Sequence, residues 1–168
     1  YTFHQQDNSS LKYLKSSGGI FRDMTIHDFD MVRFYLGNDE IKEIFATASN
    51  ISSKKFNEIK DYELATCILK SKTGVICTIN NSRHYKYGYD QRIEVFGSKG
   101  CLISENKKKY NFFIDRYKTA YKLQLQDLVN LANKNKKPRA SFIDGEKALL
   151  LANAAYKSLS SKKVIKIR

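Results

Sequence analysis

Between Glu40 and Asn106 the sequence repeats short runs of apolar and β-branched residues, two pairs of them joined by tight turns. The runs are EIKEIFATAS, DYELATCILK, GVICTINNSR, QRIEVFG and GCLISEN. Runs this short, bounded by turn residues, are the mark of strands. Lys72-Thr73-Gly74 and Ser98-Lys99 are too short to hold a crossover helix, so the strands they join must return antiparallel. That constraint excludes a doubly wound parallel sheet and leaves an antiparallel or mixed one.

Helical spacing brackets this stretch. YTFHQQD reads as an entering strand, and NSSLKYLKSSGG as a loop or short helical turn closed by Gly18-Gly19. From Ile20 to Leu36, Phe21, Met24, Phe29, Met31, Val32, Tyr35 and Leu36 predict a helix buried on most sides, stopped at Gly37-Asn38. KYNFFIDRY reads as a further strand. Two helices follow: Tyr117 to Lys134, with Tyr121, Leu125, Leu128, Val129 and Ala132 in register, and Asp144 to Leu159. KKVIKIR closes the chain as a short strand. The expected fold is α+β: one domain, a predominantly antiparallel or mixed open sheet, and helices packed on one face.

Composition narrows function mainly by exclusion. No apolar run approaches the roughly 18–20 residues that span a bilayer, and no signal peptide is legible. Cys67, Cys77 and Cys101 lack CxxC spacing, so neither a disulfide framework nor a zinc site is expected, and a reducing cytoplasmic setting is the default. The net charge of +13 is compatible with nucleic-acid binding. Its lysines are scattered, however, with short clusters only at Lys107–Lys109, Lys134–Arg139 and Lys162–Lys163. The charge therefore reads first as solvated surface, and a nucleic-acid partner is not expected.

Two stretches carry groups able to do chemistry. Asp23 and His27 stand four apart, on one helix face, with Asp30 further along. A carboxylate near an imidazole suits proton transfer, and the same spacing equally makes a structural i,i+4 ion pair. In NSRHYKYGYDQR, Tyr85, Tyr87 and Tyr89 alternate, and Gly88 permits a bulge or the close approach of another backbone or ligand. Arg83, His84, Asp90 and Arg92 flank them. Such a stretch can stack on bases, line a polyol pocket or form a subunit interface. No GxGxxG, GxxxxGK[ST], GxSxG or HExxH occurs, so a phosphate cradle, a serine elbow and a zincin site are not signalled.

SGGIFRDMTIHDFDMVRFYLG and NNSRHYKYGYDQRIEVFGSKG, with the tail DGEKALLLANAAYKSLSSKKVIKI, closely resemble the C-terminal half of the inositol 2-dehydrogenases of the glucose–fructose oxidoreductase-like (Gfo/Idh/MocA) family. The resemblance implies that residues 1–168 form that family's substrate-binding and oligomerisation domain. The Rossmann domain, with its glycine-rich loop and Glu-Lys-Pro motif, would lie outside this chain, which alone would be inactive. The implied reaction oxidises a ring hydroxyl of myo-inositol, or of a related cyclic polyol or sugar, with hydride transfer to NAD. Asp23 and His27 match the family's DxxxH pair: His27 would be the catalytic base and Asp23 would bind substrate hydroxyls. Tyr89, ahead of Tyr87, would contact the polyol, with Arg83 and Arg92 as supporting or interface residues. No metal is implied. Activity would rise with pH as the histidine loses its proton. The open face of the sheet would pair subunits into a homodimer or homotetramer, with exposed apolar residues at 62–70 and 75–79 as the adhesive patch. One departure touches the substrate: HQQDNSS stands where relatives carry a proline-bearing segment. A non-catalytic sugar-binding or oligomerisation module from the same family is the alternative.

Overall fold

A computed structural model of the chain describes the backbone of residues 2–4 and residues 10–51, 54–84, 88–134 and 138–168. The elements run β1 (Thr2–His4), α1 (Leu11–Ser16), a π-helical turn (Phe21–Thr25), α2 (Ile26–Leu36), β2 (Ile41–Ser49), α3 (Lys54–Glu58), β3 (Leu64–Ser71), β4 (Ile76–Ser82), β5 (Asp90–Gly97), β6 (Gly100–Ser104), α4 (Phe113–Lys134), α5 (Phe142–Ser161) and β7 (Ile165–Lys166). The seven strands form one sheet in the order β6-β5-β1-β4-β3-β2-β7. Every pairing is antiparallel except β1 with β4, so the sheet is mixed. The two expected hairpin turns are present, Gly74 taking the left-handed conformation at φ 96°. Consecutive hairpins do not run through the whole sheet, because β1 inserts between β4 and β5.

One face of the sheet carries the core. Ile44, Ala46, Ala65, Cys67, Leu69 and Ile79 point to it from alternate strand positions. Against them pack Ile20, Phe21, Met24, Phe29 and Val32 from the π turn and α2, and Ala148, Leu151, Ala152 and Ala155 from α5. Alanines on α5 let that helix approach closely. Burial pushes the Cys67 thiol up, as expected of a small core residue. Ser158 ties α5 to the sheet: its hydroxyl accepts the Ala46 N–H at 3.0 Å and donates to the Lys163 carbonyl at 2.6 Å. Lys162 ends the helix in the left-handed conformation at φ 57°.

Three expectations change. KYNFFIDRY makes only an isolated bridge, Tyr89 to Tyr110, before α4 begins at Phe113, with Asp115 favourably placed in the first turn. The α4 stripe does not enter the core: Leu125 is 65% and Leu128 62% exposed, and Tyr121, Val129 and Ala132 are exposed too. α5 starts at Phe142 because Ser141 and Asp144 form a reciprocal capping box. Those bonds and Arg33 hold the Asp144 carboxyl well below the usual carboxylate range.

The face away from the helices carries Ile68 and Ile76, both exposed, with Val75 exposed beside them. These lie where the apolar strand patch was expected.

Candidate active site

Asp61 and the π turn fix where the site begins. The Ile20 N–H donates to Asp61 Oδ1 at 2.8 Å, pinning the entry of the helix to the loop before β3. Gly18 and Gly19 reach that point with φ of 89° and 80°. A Cβ on Gly19 would run into the Tyr156 hydroxyl, which donates to the Gly18 carbonyl at 3.0 Å, so only glycine suits this turn. The backbone then takes the wider π turn through Asp23 before tightening at Ile26. π turns inside helices are frequent at functional sites, and a 3.6-residue pattern gives no hint of one.

Asp23 is held from two sides. Its Oδ1 accepts the Tyr13 hydroxyl at 2.5 Å and its Oδ2 accepts Arg83 Nη1 at 2.9 Å. Arg83, buried directly after β4, places Nη2 on Asp61 Oδ2 at 3.1 Å. One guanidinium thus bridges two carboxylates from separate segments. His27, one turn beyond Asp23, is exposed, and no hydrogen bond to it is found among the described residues. The i,i+4 ion pair that the spacing also allowed is therefore not formed. Asp30 leaves the group altogether: it pairs with Arg33 at 3.2 Å, and Arg33 reaches on to Asp144 of α5 at 3.0 Å.

The buried acid of this helix is Asp28, which the sequence reading passed over. Its Oδ2 accepts Asn81 Nδ2 at 2.9 Å, the Thr25 hydroxyl donates to Asn81 Oδ1 at 2.5 Å, and Asp28 Oδ1 has no partner among the described residues. Burial raises its pKa well above the usual carboxyl value, with the Asn81 bond opposing only part of the shift. The folded state holds this proton where the unfolded chain has released it. The carboxyl's contribution to stability is fully present below about pH 4, where both states are protonated, and is lost as pH rises toward the raised value. Asp28→Asn keeps the shape without the titration. Its melting temperature should exceed the unaltered protein's at about pH 8, the advantage shrinking toward about pH 4; an equal shift at both would contradict a buried titrating acid.

Tyr89 stands at the same end of the sheet's central strands: it precedes Asp90, which pairs with His4 of β1, and His4 pairs in turn with Ser82, the residue before Arg83. Its N–H donates to the Tyr110 carbonyl at 2.7 Å, and Gly88, with φ 101°, is the close-approach point anticipated from its sequence context. The Tyr89 hydroxyl donates to that of Tyr117 on α4 at 3.3 Å, and burial raises the pKa of both phenols. No hydrogen bond joins Tyr89 to Asp23 or His27 among the described residues. Tyr87 lies outside the described residues, as do Tyr85 and most of HQQDNSS. Arg92 donates to buried Asp90 at 2.8 Å with its own head exposed, and His84 meets the buried Glu63 carboxylate at 3.0 Å. Asp61, Asp28 and Tyr117 were missed from sequence. Only Asp28 had a signal, since it shares the apolar stripe with Met24, Thr25 and Val32 at spacings of four, three and four.

Residues 1–103 match the model of the GFO/IDH/MocA C-terminal domain. The chain belongs to that family. The myo-inositol 2-dehydrogenase of Thermotoga maritima is 39% identical over 173 residues, covering 94% of this chain and 52% of its own. The inositol 2-dehydrogenase of Rhizobium meliloti is 40% identical over 171 residues, covering 92% and 52%. The crystal structure of a myo-inositol dehydrogenase from Corynebacterium glutamicum superposes with a TM-score of 0.95 at 36% identity, covering 99% of this chain and 55% of that one. The chain thus spans about half the length of the curated Gfo/Idh/MocA relatives it matches. No helix among the described residues is long and apolar enough to cross a membrane.

Proposed function

We propose that the whole protein oxidises a ring hydroxyl of a cyclic polyol, myo-inositol foremost, with NAD as acceptor, and that this chain supplies the polyol-binding and proton-accepting half of the site. The observation that carries the reading is the division of labour between Asp23 and His27. Tyr13 and Arg83 fix the carboxylate in place, while the imidazole stands exposed and is not spent on it. A structural ion pair would do the opposite.

In this reading a fixed carboxylate accepts hydroxyl hydrogens of the polyol and sets its orientation, a proximity effect. The neutral His27 imidazole takes the proton from the reacting hydroxyl. Tyr89 contacts the ring from the position just before β5. The dinucleotide phosphates do not fit at the Gly18-Gly19 turn, which is closed by the Tyr156 hydroxyl and faces the Asp61 carboxylate. NAD, which supplies the hydride acceptor, is held by the rest of the whole protein. The exposed Ile68 and Ile76 support a homodimer or homotetramer formed through the open sheet face. Unpaired thiols at Cys67, Cys77 and Cys101 support a cytoplasmic setting.

The test uses the full-length protein, NAD and carbon-perdeuterated myo-inositol. NADH carrying one deuterium is the expected product; unlabelled NADH, or none from any polyol, would sink the reading and favour a binding module.

A further inference from the structure

We propose that Arg83 is a positioning residue for this reaction, acting on the polyol solely through Asp23; the inference rests on the functional reading above. Arg83 is 3% exposed and spans three segments. Its own N–H donates to the Glu63 carbonyl at 2.8 Å, which fixes the residue at the end of β4. One arm of the guanidinium, Nη2, meets Asp61 at 3.1 Å. Asp61 is immobile in turn, since it accepts the Ile20 N–H and its own N–H donates to the Phe56 carbonyl at 2.9 Å. The guanidinium also lies 6.0 Å over the Phe56 ring. With that arm anchored, the planar fork leaves Nη1 a single direction, and Asp23 Oδ2 sits there at 2.9 Å.

The consequence for Asp23 is specific. A carboxylate rotates freely unless both oxygens are engaged, and here Arg83 takes one while the Tyr13 hydroxyl takes the other. Two bonds leave about two of its roughly four acceptor sites for a ligand, in a fixed plane. The Arg83 Nε is buried without a partner among the described residues, so the guanidinium is committed through its two Nη atoms. Two carboxylates share one cation, a buried arrangement that gives little net stability once desolvation is counted. Orientation is the work such a triad can do. Lysine, a point charge, can serve one carboxylate or the other and cannot hold the angle between them.

The experiment compares full-length Arg83→Lys and Arg83→Gln with Ser158→Ala, a buried hydrogen-bonding change between α5 and β2. Melting curves are recorded for each. Both Arg83 variants should lose about 10²-fold in kcat/KM for myo-inositol, the scale of a small misplacement, with KM for NAD unchanged. Ser158→Ala should lose melting temperature without that loss. Arg83→Lys keeps the charge and one arm, so it remains measurable if the glutamine variant does not fold. Arg83 variants that lose no more kcat/KM than Ser158→Ala, or that raise KM for NAD equally, would overturn the inference and leave the functional reading standing. Absence of polyol turnover in the unaltered protein would remove both.

Discussion

Replacing His27 by glutamine in the full-length protein should lower kcat/KM for myo-inositol by about 10²–10⁴-fold, the range over which a positioned proton acceptor acts. The melting temperature should hardly move, because the imidazole is exposed and makes no hydrogen bond to any described residue. That separation of activity from stability is what distinguishes a base from a structural histidine. A base must be neutral to accept a proton, so the unaltered enzyme should gain activity with rising pH. The glutamine variant should lose that limb and keep its residual rate level. A variant with an intact pH limb would assign the titrating group elsewhere, and His84 beside Glu63 would be next to test.

Phe21→Ala is the largest stability change expected. The ring is fully buried in the π turn, packs edge-on to Tyr156 with centroids 4.9 Å apart, and sits in the cluster joining α2, α5 and the sheet. Truncating a buried phenylalanine costs about 3–5 kcal/mol, the transfer term plus the cavity. Two linked effects raise the stakes here. The same turn carries Asp23, so loosening it should also weaken polyol binding. Tyr156 would lose the ring that orients its hydroxyl toward the Gly18 carbonyl. Phe34→Ala on the same helical segment, at 75% exposure, should stay within about 0.5 kcal/mol. Urea midpoints compare the two directly: a large drop for Phe21 beside a small one for Phe34 is expected. Similar midpoints would mean that the helix packs differently.

Strands β2 to β6 were legible as short apolar runs, and the β3–β4 and β5–β6 turns leave no room for any other connection. Helices α2 and α5 were legible from spacing, with the terminus of α5 shifted by a capping box whose two members lie three apart. α4 began early for a local reason: Tyr110, Phe112 and Phe113 have strand composition, yet only one bridge is available to them. α3 escaped notice because its five residues bring one buried side chain, Phe56, and no period can be read from one point. The exposed stripe of α4 marks the limit of periodicity, which tells which residues share a face but not what covers it.

The site divides the same way. Asp23 and His27 were visible as a spaced pair, whereas their division of labour depends on Tyr13, Asp61 and Arg83, which come from α1, the loop before β3 and the end of β4. Contacts of that kind are set by topology, and no local pattern encodes them. Asp28 was legible in principle, since an acid four residues from both Met24 and Val32 lies on the apolar stripe of the helix.

The most direct measurement is the near-ultraviolet absorbance of NADH formed by the full-length protein with NAD and myo-inositol, beside His27→Ala and Asp23→Asn checked for folding by circular dichroism. Turnover that both folded variants abolish is the predicted result. Turnover that survives either substitution would contradict the assignment of this chain as the polyol-binding, proton-accepting half of the enzyme.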